Sequence, residues 1–490
     1  MFVGKAFLLS CSQNEIVDFI YDLKGRIMRG DTIAAIATAM SNSGIGIVRM
    51  SGEESLEIID KVYQSKHGGK VLSQMPSHTI HYGFICDDDK IIDEVMVAIM
   101  KAPHSYTMED TVEINCHGGT LVMKRILETV IKCGARPADP GEFTKRAFLN
   151  GRIDLSQAES VIDVINARND FALDSSIHQL RGNVREKIKN LRAGIIHEIA
   201  YIESALDDPE HISLDGFGEQ LHLMIGKIAK EIEELLSVSE NGELMKEGIR
   251  TVIVGKPNAG KSSLMNVLVG RERAIVTDMP GTTRDVLEEQ INLDGILLHV
   301  IDTAGIRDTK DRIEQIGVEK AKEYIDKSDL VIYVVDSSVD LDKNDEDILK
   351  LLQNHKVLIL LNKSDLSQFI SEDVLKQKLS QQKLSFPMIS ISAKQETGIE
   401  KLKNTIKEMF FSGEINANEE IIITNVRQKS ALQSALQSLK LVEQSIENQM
   451  PEDFYSIDLM DAYEKLGNIT GETVEEDLVN EIFSKFCMGK

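Results

Sequence analysis

The sequence is 490 residues long, 42% of them apolar, and 55 Lys and Arg stand against 79 Asp and Glu, a formal net charge of −24. This length and apolar content predict more than one domain with a buried core. The negative charge argues against a free-standing nucleic-acid-binding protein, so an RNA substrate would need basic surface from a partner. The cysteines are odd in number and lack metal-ligand spacing, which argues against a disulfide framework.

Residues 1–30 form an extension to which we assign no role. Its apolar run before Ser10-Cys11 is too short for an export signal, so we expect a cytoplasmic protein. No run approaches transmembrane length, and we expect no membrane association. An alternative interpretation makes Met28 the native start.

Residues 31–150 mix short β-type runs, such as Thr111–Ile114, with helical patterns, such as Leu121–Cys133. Turn-forming residues are dense at Cys116–Gly119 and at Pro140–Thr144. This mixture predicts an α+β domain.

Apolar residues then recur at every third or fourth position, which predicts amphipathic helices. The first series predicts one long helix, a second follows a break at Asp207–Pro209, and a third lies beyond residue 413. Because these helices need each other's apolar faces, we predict an all-α bundle of residues 151–246 and 413–490, interrupted by an α/β domain of residues 247–412. The three series are Ile177, Leu180, Val184, Ile188, Leu191, Ile195, Ile199 and Ile202; Leu221, Met224, Ile228, Ile232 and Leu235; and Leu432, Leu436, Leu439 and Ile446.

The segment Gly255–Ser262 reads GKPNAGKS and lies between an apolar run and a helical pattern. That context is typical of a phosphate-binding loop, in which glycines let backbone N–H groups face a polyphosphate. Lys261 would supply a cation to the terminal phosphates, and Ser262 would offer a hydroxyl to Mg²⁺.

Further motifs at the ends of apolar runs predict the base and the reaction. Asp365 ends an Asn-Lys-Ser-Asp motif, and its carboxylate can accept from both N1 and the exocyclic amine of guanine. A backbone amide of Ser392–Lys394 would meet the guanine carbonyl, and Asp302–Gly305 would approach Mg²⁺ and the γ-phosphate. The predicted GTP contacts are Asn258, Ala259, Gly260, Lys261, Ser262, Ser263, Thr277, Asp278, Met279, Pro280, Gly281, Thr282, Thr283, Asp302, Thr303, Ala304, Gly305, Asn362, Lys363, Ser364, Asp365, Ser392, Ala393 and Lys394.

The position after Asp302–Gly305 holds Ile306, which can neither donate nor accept a hydrogen bond to the attacking water. Charged candidates for that role follow from Arg307 to Glu314; Glu314 would hold the water, and the alternative is a solvated loop carboxylate. No arginine finger is apparent. Asn258 would instead help hold a monovalent cation, and the alternative is that it only caps the turn.

The segment Gly255–Lys394 resembles the Ras-like GTPases, of the TrmE-Era-EngA type. Outside it, Arg136–Leu155, the interrupted helical region and the terminal Cys487–Lys490 resemble the MnmE (TrmE) family of tRNA modification GTPases. This resemblance covers nearly all of residues 31–490.

The resemblance implies a homodimer that forms a heterotetramer with an FAD-dependent MnmG-type protein. Together they would add an aminomethyl- or carboxymethylaminomethyl-type group to C5 of the wobble uridine of certain tRNAs. The carbon would come from 5-formyl- or methylene-tetrahydrofolate, bound in a folate-binding and dimerisation domain of residues 31–150. From the residues alone, Arg49 and Arg152 are ordinary surface cations.

The family residues carry over as follows. Folate would be bound by Arg49, Glu113, Arg152 and Lys490, Mg²⁺ by Ser262 and Thr283, and K⁺ by Asn258, Thr277, Met279 and Thr282. The catalytic candidates are Glu314, Lys261, Arg307 and Cys487.

Cys487 has two interpretations. A cysteine four residues from the end fits a prenylation box, although Gly489 and Lys490 suit that box poorly. A thiol that adds to the pyrimidine ring is the other. The sequence departs from the family pattern at Ala39–Gly44, beside the expected folate pocket, and at Asp207–Glu210.

Two other functions compete with tRNA modification. A ribosome-assembly switch GTPase would share the nucleotide motifs but needs a basic RNA-binding module, which the sequence does not show. A structural vestige of a GTPase is disfavoured because Lys261 and Asp365 are both present.

Overall fold

The computed structural model describes residues 31–66, 68–272, 288–293, 295–302, 322–381, 384–410, 423–473, 476–486 and 489. They form two compact units, one of the residues up to Ile162 and from Thr470 onward, the other of Asp163–Ile469. No helix in the described part of the chain has a stretch both long and apolar enough to span a bilayer.

The first unit is built on a seven-stranded sheet in the order β3-β4-β5-β6-β2-β1-β7. All neighbouring strands run antiparallel except β1 and β7. The strands are β1 Ile33–Ile36, β2 Ser43–Ser51, β3 Tyr63–Ser65, β4 Thr79–Asp87, β5 Lys90–Met100, β6 Thr111–Gly118 and β7 Arg136–Pro137, with a 3-10 turn at Leu72–Gln74. Helices α1 Ser55–Val62 and α2 Thr120–Lys132 supply Ile58, Ile59, Met123 and Ile126 to its core.

Alternation along the strands decides which face of this sheet is covered. Val95, Val97 and Ile99 on β5 are buried, while Met96 between them is exposed. Such a period of two is typical of a sheet with one face packed on a core. The predicted α+β fold of this region is confirmed.

Three helices complete the first unit: α3 Glu142–Leu149, α4 Leu155–Asn166, which runs past Ile162, and α14 Glu476–Ser484. Leu155 and Ala147 share a buried cluster with Phe483 and Phe486. Gly141 has a φ of +70°, and a Cβ there would lie 2.5 Å from the carbonyl oxygen of Phe483. The close packing of the C-terminal segment on α3 therefore requires glycine at this turn.

A buried ion network ties α3 to the start of the first unit. The Arg146 side chain is 1% exposed and contacts Asp31 at 2.9 Å, Glu109 at 3.1 Å and Glu142 at 3.1 Å. Arg136 also pairs with Asp31 and Glu142. Burial alone would raise the pKa of Glu142, but hydrogen bonds from Arg136 and the Asp139 amide, with the Arg146 charge, hold it below its usual value.

The second unit contains a helical bundle: α5 Asp170–Leu180, α6 Asn183–Asp207, α7 Phe217–Glu247, α12 Val426–Glu447 and α13 Glu452–Thr470. The predicted single long helix is wrong, because the chain breaks at Gly182, whose φ is +93°. A left-handed residue cannot continue a right-handed helix. The predicted apolar series of α6, α7 and α12 do meet in one core, which includes Ile195, Ile232 and Leu439.

The rest of the second unit is a six-stranded sheet in the order β13-β12-β11-β8-β10-β9, with only β9 antiparallel to its neighbour. Its strands are β8 Ile249–Val254, β9 Glu288–Leu293, β10 Ile296–Asp302, β11 Leu330–Asp336, β12 Val357–Asn362 and β13 Met388–Ser390. Its helices are α8 Lys261–Glu272, α9 Lys343–Leu351, α10 Glu372–Gln381 and α11 Ile399–Phe410, and residues 322–327 are also helical.

The central strands β11 and β12 are buried along nearly their whole length, as expected for parallel strands with both faces covered. This order of strands is that of Ras-like GTPases, and the predicted multidomain α/β plus α fold is confirmed. In such a sheet, ligands bind outside the carboxyl ends of the parallel strands.

Candidate functional site

The loop between β8 and α8 has the backbone of a phosphate-binding loop. Asn258 and Gly260 have φ values of +64° and +99°, in the left-handed region. A Cβ on Gly255 would lie 2.3 Å from the Val334 carbonyl oxygen, and one on Gly260 would lie 2.0 Å from Nδ2 of the Asn362 side chain. Only glycine fits at those two positions, because the loop passes directly against β11 and against the Asn362 side chain at the end of β12.

Lys261 opens α8 and turns its side chain back over this loop. Its Nζ donates hydrogen bonds to the carbonyl oxygens of Gly255 and Lys256, both at 2.8 Å. The positive end of the α8 dipole adds to the ammonium charge, and both favour an anion at this point. The neighbouring Ser262 and Ser263 are exposed.

Asn362, at the end of β12, joins the loops of the site. Its Nδ2 donates to the Ala259 carbonyl at 2.8 Å, and its Oδ1 accepts from the Ala393 amide at 3.0 Å. The side chain is 2% exposed, so both bonds form out of water. The phosphate loop and the two loops predicted to bind the base are therefore fixed to one another.

Asp365 lies at the predicted base-binding site, where a hydrogen bond from a neighbouring serine favours its ionised form. Ser392 Oγ donates to Asp365 Oδ1 at 2.6 Å. That hydrogen bond, with the nearby charges of Lys394 and Lys363, lowers the pKa of Asp365, so the carboxylate is ionised at neutral pH. An ionised carboxylate is acceptor-only, which suits the two adjacent N–H groups of guanine.

Hydrogen bonds narrow the choice of amide for the guanine carbonyl. The Ser392, Ala393 and Gln395 amides donate to Thr397, Asn362 and Ser392 respectively. Among the described residues, nothing accepts from the Lys394 amide. Lys394 is therefore the residue of this loop whose N–H is available to a base.

Lys363 has a left-handed φ of +65°, and its ammonium lies 2.5 Å from Asp336 at the end of β11. Asp336 also accepts from the Ser338 amide at 2.9 Å and from its hydroxyl at 2.6 Å. The base-binding loop is thus anchored to β11 by an ion pair. Ser364 is held by a hydrogen bond from its amide to the Ile391 carbonyl, at 3.1 Å.

A second constellation lies in the first unit. Arg49 and Glu113 are opposite each other on β2 and β6, and Arg49 Nε donates to Glu113 Oε1 at 2.8 Å. The Tyr106 ring lies near two cations, with its centroid 6.0 Å from the Arg49 guanidinium and 4.7 Å from that of Arg152. Arg49 also donates to the Gly489 carbonyl at 3.2 Å, which brings the C-terminal segment here.

The interpretation of Arg49 as an ordinary surface cation is wrong, since its side chain is 16% exposed. Arg152 is exposed, at the rim of an open cavity of about 490 Å³. Apolar and aromatic side chains make up part of the wall, with two histidines. The lining residues are His78, Met100, Pro103, His104, Ser105, Tyr106, Met108 and Arg152.

Many predicted site residues lie outside the described residues, so their roles stay predictions. They are Thr277, Asp278, Met279, Pro280, Gly281, Thr282, Thr283, Thr303, Ala304, Gly305, Arg307, Glu314, Cys487 and Lys490. Asp302 ends β10 beside Ile253 of β8, and of it only the backbone is described.

Sequence reasoning missed two groups that the fold brings to these sites. Tyr106 was not singled out, although an aromatic residue close to two arginines suggests a cation–π role. Lys256 was not singled out either, although it pairs with Asp345. No spacing in the sequence marks that pair, because the two residues meet only through the order of the strands.

Family models for the TrmE N-terminus and the MnmE helical domain match residues 32–152 and 155–487 respectively. The tRNA modification GTPase MnmE of Lachnoclostridium phytofermentans is 59% identical over 464 residues, covering 94% of this chain and all of that protein. That of Acetivibrio thermocellus is 48% identical, covering 94% and 99%. Among solved structures, an Aquifex aeolicus Era variant bound to GDP·AlF4⁻ is 25% identical, with a TM-score of 0.27 over 39% of this chain and 67% of that chain.

Proposed function

The chain belongs to the MnmE family of tRNA modification GTPases, and from this we propose that it hydrolyses GTP and, with a partner, modifies C5 of the wobble uridine in certain tRNAs. The observation that carries the GTPase part is the Asn362 bridge, which ties the phosphate loop through Ala259 to the base-binding loop through Ala393. The wobble-uridine part rests on the family and on the second constellation at Arg49 and Tyr106.

In the proposed reaction, the loop amides and Lys261 bind the β- and γ-phosphates and stabilise the charge that develops as the γ-phosphoryl group leaves. Lys261 would exchange its present bonds to the Gly255 and Lys256 carbonyls for phosphate oxygens. Asp365 and the Lys394 amide select guanine. The attacking water would be oriented by Glu314 or Arg307, since Ile306 has no polar group.

The described residues fit a divalent cation. Ser262 presents an exposed hydroxyl at the start of α8, and β10 ends at Asp302 beside β8. We propose that Ser262 and Thr283 hold Mg²⁺, which supplies charge stabilisation to the phosphates when bound.

A monovalent cation is proposed at Asn258, Thr277, Met279 and Thr282. Asn258 fits because it is exposed in the phosphate loop and its side-chain amide carries an oxygen that can bind a cation. A K⁺ there would place positive charge where other GTPases use an arginine finger.

The second constellation fits a folate such as 5-formyl- or methylene-tetrahydrofolate. Guanidinium groups of Arg49 and Arg152, an aromatic ring and a partly apolar cavity suit a flat aromatic molecule that carries carboxylates. Glu113 could accept from pterin N–H groups, and Lys490 would add a further cation. We propose that this unit also forms the homodimer, that an FAD-dependent MnmG-type protein completes the complex, and that Cys487 is a candidate thiol for the uridine chemistry.

Analysis of wobble uridines by mass spectrometry of tRNA tests this function. A strain that lacks the gene should accumulate unmodified wobble uridine, and the intact gene should restore the modification. A Lys261→Met gene should not restore it, because the phosphates lose their cation, whereas Lys343→Met, an exposed lysine on α9, should. Unchanged wobble uridines together with a ribosome-assembly defect would instead support the ribosome-associated switch.

The cation proposal has its own test in GTP turnover by the purified protein. Rates measured in K⁺ and then in Na⁺ at equal ionic strength should differ, with marked acceleration by K⁺. Asn258→Ala should lose most of that acceleration while keeping GTP affinity within a few-fold. Equal rates in both salts would remove the proposed role of Asn258.

A further inference from the structure

The phosphate loop contains a second lysine, Lys256, whose side chain forms ion pairs with two aspartates instead of extending into solvent. Its Nζ lies 2.6 Å from Asp345 Oδ2 and 3.1 Å from Asp342 Oδ2, and the side chain is 16% exposed. Asp342 immediately precedes α9, and Asp345 lies in the first turn of that helix. The bond therefore runs from the nucleotide loop to a neighbouring element of the same sheet.

The acceptor end of this ion pair is rigidly held. Asp345 is 1% exposed, and its Oδ1 accepts from the buried Tyr333 hydroxyl of β11 at 2.7 Å. Asp342 caps α9 by accepting from the Asn344 amide at 2.9 Å, and Asp345 Oδ2 in turn accepts from the Asp342 amide at 3.0 Å. This reciprocal capping box fixes both carboxylates to the start of α9.

The protonation states agree with a permanent ion pair. Burial by itself would lower the pKa of the Lys256 ammonium, but its hydrogen bonds to Asp345 and Asp342 raise it above the usual value. Burial, and then the bond to Asp345, raise the pKa of Tyr333, so its hydroxyl stays a donor. The Lys256 ammonium therefore stays charged across the neutral range.

The backbone at Lys256 carries part of the phosphate site. Its carbonyl accepts from Lys261 Nζ at 2.8 Å and from the Ala259 amide at 3.3 Å. The residues that follow include Asn258 with φ of +64°, a conformation that costs a non-glycine residue about 1 kcal/mol or more. A loop with that backbone keeps its shape only where surrounding contacts hold it.

We propose that Lys256 is a positioning residue for guanine-nucleotide binding: its ion pair with Asp345 and Asp342 holds the phosphate loop in the bound shape before nucleotide arrives. Asn362 fixes one side of the loop through Ala259, and Lys256 fixes the other. This inference rests on the proposed GTP binding. The ion pair sets nucleotide affinity rather than the rate of hydrolysis, because bound nucleotide itself orders the loop.

The positive charge of Lys256 favours nucleotide binding, as does the loop order that its ion pair maintains. With Lys256 removed, Asp342 and Asp345 would stand uncompensated beside a triphosphate and repel it. An arginine at this position would restore both the charge and a hydrogen bond to a carboxylate.

The test is the affinity of the full-length protein for a fluorescent GDP, together with steady-state GTP hydrolysis. Lys256→Met should weaken GDP binding about tenfold or more, mainly through faster release. KM for GTP should rise accordingly, whereas kcat should stay within about twofold. Lys256→Arg should recover most of the affinity.

Lys343→Met is the matched control, because it removes one positive charge next to Asp342 from an exposed side chain. It should bind GDP like the unsubstituted protein. An equal loss in Lys343→Met would reduce the effect to general electrostatics and overturn the positioning role. So would an unchanged affinity in Lys256→Met, or a fall confined to kcat.

Folding of each variant is checked by circular dichroism and its thermal transition. If Lys256→Met does not fold, Lys256→Gln is measured in the same way, since it keeps a hydrogen-bond donor for Asp345. Failure of both to fold beside a folded Lys343→Met would make Lys256 a structural residue and reject the proposal. Failure of the unsubstituted protein to bind GDP would instead count against the proposed GTPase function.

Discussion

Asp365→Asn is expected to lower GTP affinity about a hundredfold or more and to move the preference to xanthosine triphosphate. The Asp365 carboxylate is ionised and is held by Ser392 Oγ at 2.6 Å. The substitution makes one of the two expected hydrogen bonds to guanine a neutral one and turns the other into a donor–donor mismatch, which together correspond to about a hundredfold or more.

The direction of the switch follows from the donors and acceptors of the bases. An asparagine keeps one acceptor for N1–H but turns an N–H group toward the exocyclic amine of guanine, where donor faces donor. Xanthine carries a carbonyl oxygen at that place and can accept from the asparagine. A donor that faces a donor is costly, so the selectivity between the two nucleotides should invert.

Competition between GTP and xanthosine triphosphate for a fluorescent nucleotide measures this effect. Asp373→Asn removes an exposed carboxylate of α10 and should leave both affinities unchanged. If Asp365→Asn still bound GTP like the unsubstituted protein, Asp365 would not contact the base.

The nucleotide site was predictable because its chemistry is local in sequence. Each motif follows an apolar strand, and parallel strands bring their carboxyl ends to one edge whatever the packing details. Asn362 and Asp365 therefore lie where their motif places them. The break at Gly182 was missed for a related reason: the apolar period runs on from α5 into α6, and only the backbone turn separates the two helices.

Contacts between residues far apart in the chain could not be predicted from the sequence. Lys256 and Asp345 are far apart in the chain, and so are Arg146 and Asp31. Nothing in the spacing says that a given lysine and a given aspartate will meet, because the meeting depends on the order of strands and on which faces are buried. The same limit explains why Tyr106 was not recognised as a neighbour of Arg49 and Arg152.

Arg146→Met is expected to destabilise the first unit by about 3 kcal/mol. Removing the cation of a buried ion network leaves unpaired carboxylates in a poorly solvated place, at a cost of about 3–5 kcal/mol. Glu142 is 5% exposed and Glu109 has a 19% exposed side chain. The low end of the range applies because Glu109 and Asp31 reach solvent and Arg136 still pairs with Glu142.

Native-state hydrogen exchange measures this change, since it reports the free energy of opening for each unit separately. Amides of β2 and β6 should exchange faster in the variant, while those of β8 and β11 should not change. Arg125→Met breaks an exposed pair with Glu128, 3.8 Å apart, and should cost no more than about 0.5 kcal/mol. Equal protection of β2 in Arg146→Met and the unsubstituted protein would contradict the network's role.

The pH dependence separates lost charge pairing from lost packing. The pKa of Glu142 is lowered on folding, so its contribution is fully present above the unfolded value of about 4.3 and is lost as pH falls through the lower folded value. Without the Arg146 charge, the Glu142 carboxyl protonates more readily in the folded protein. The variant therefore loses less stability than the unsubstituted protein as the pH falls. The stability gap between the two proteins should therefore narrow below about pH 4, whereas a gap caused by packing alone would stay constant.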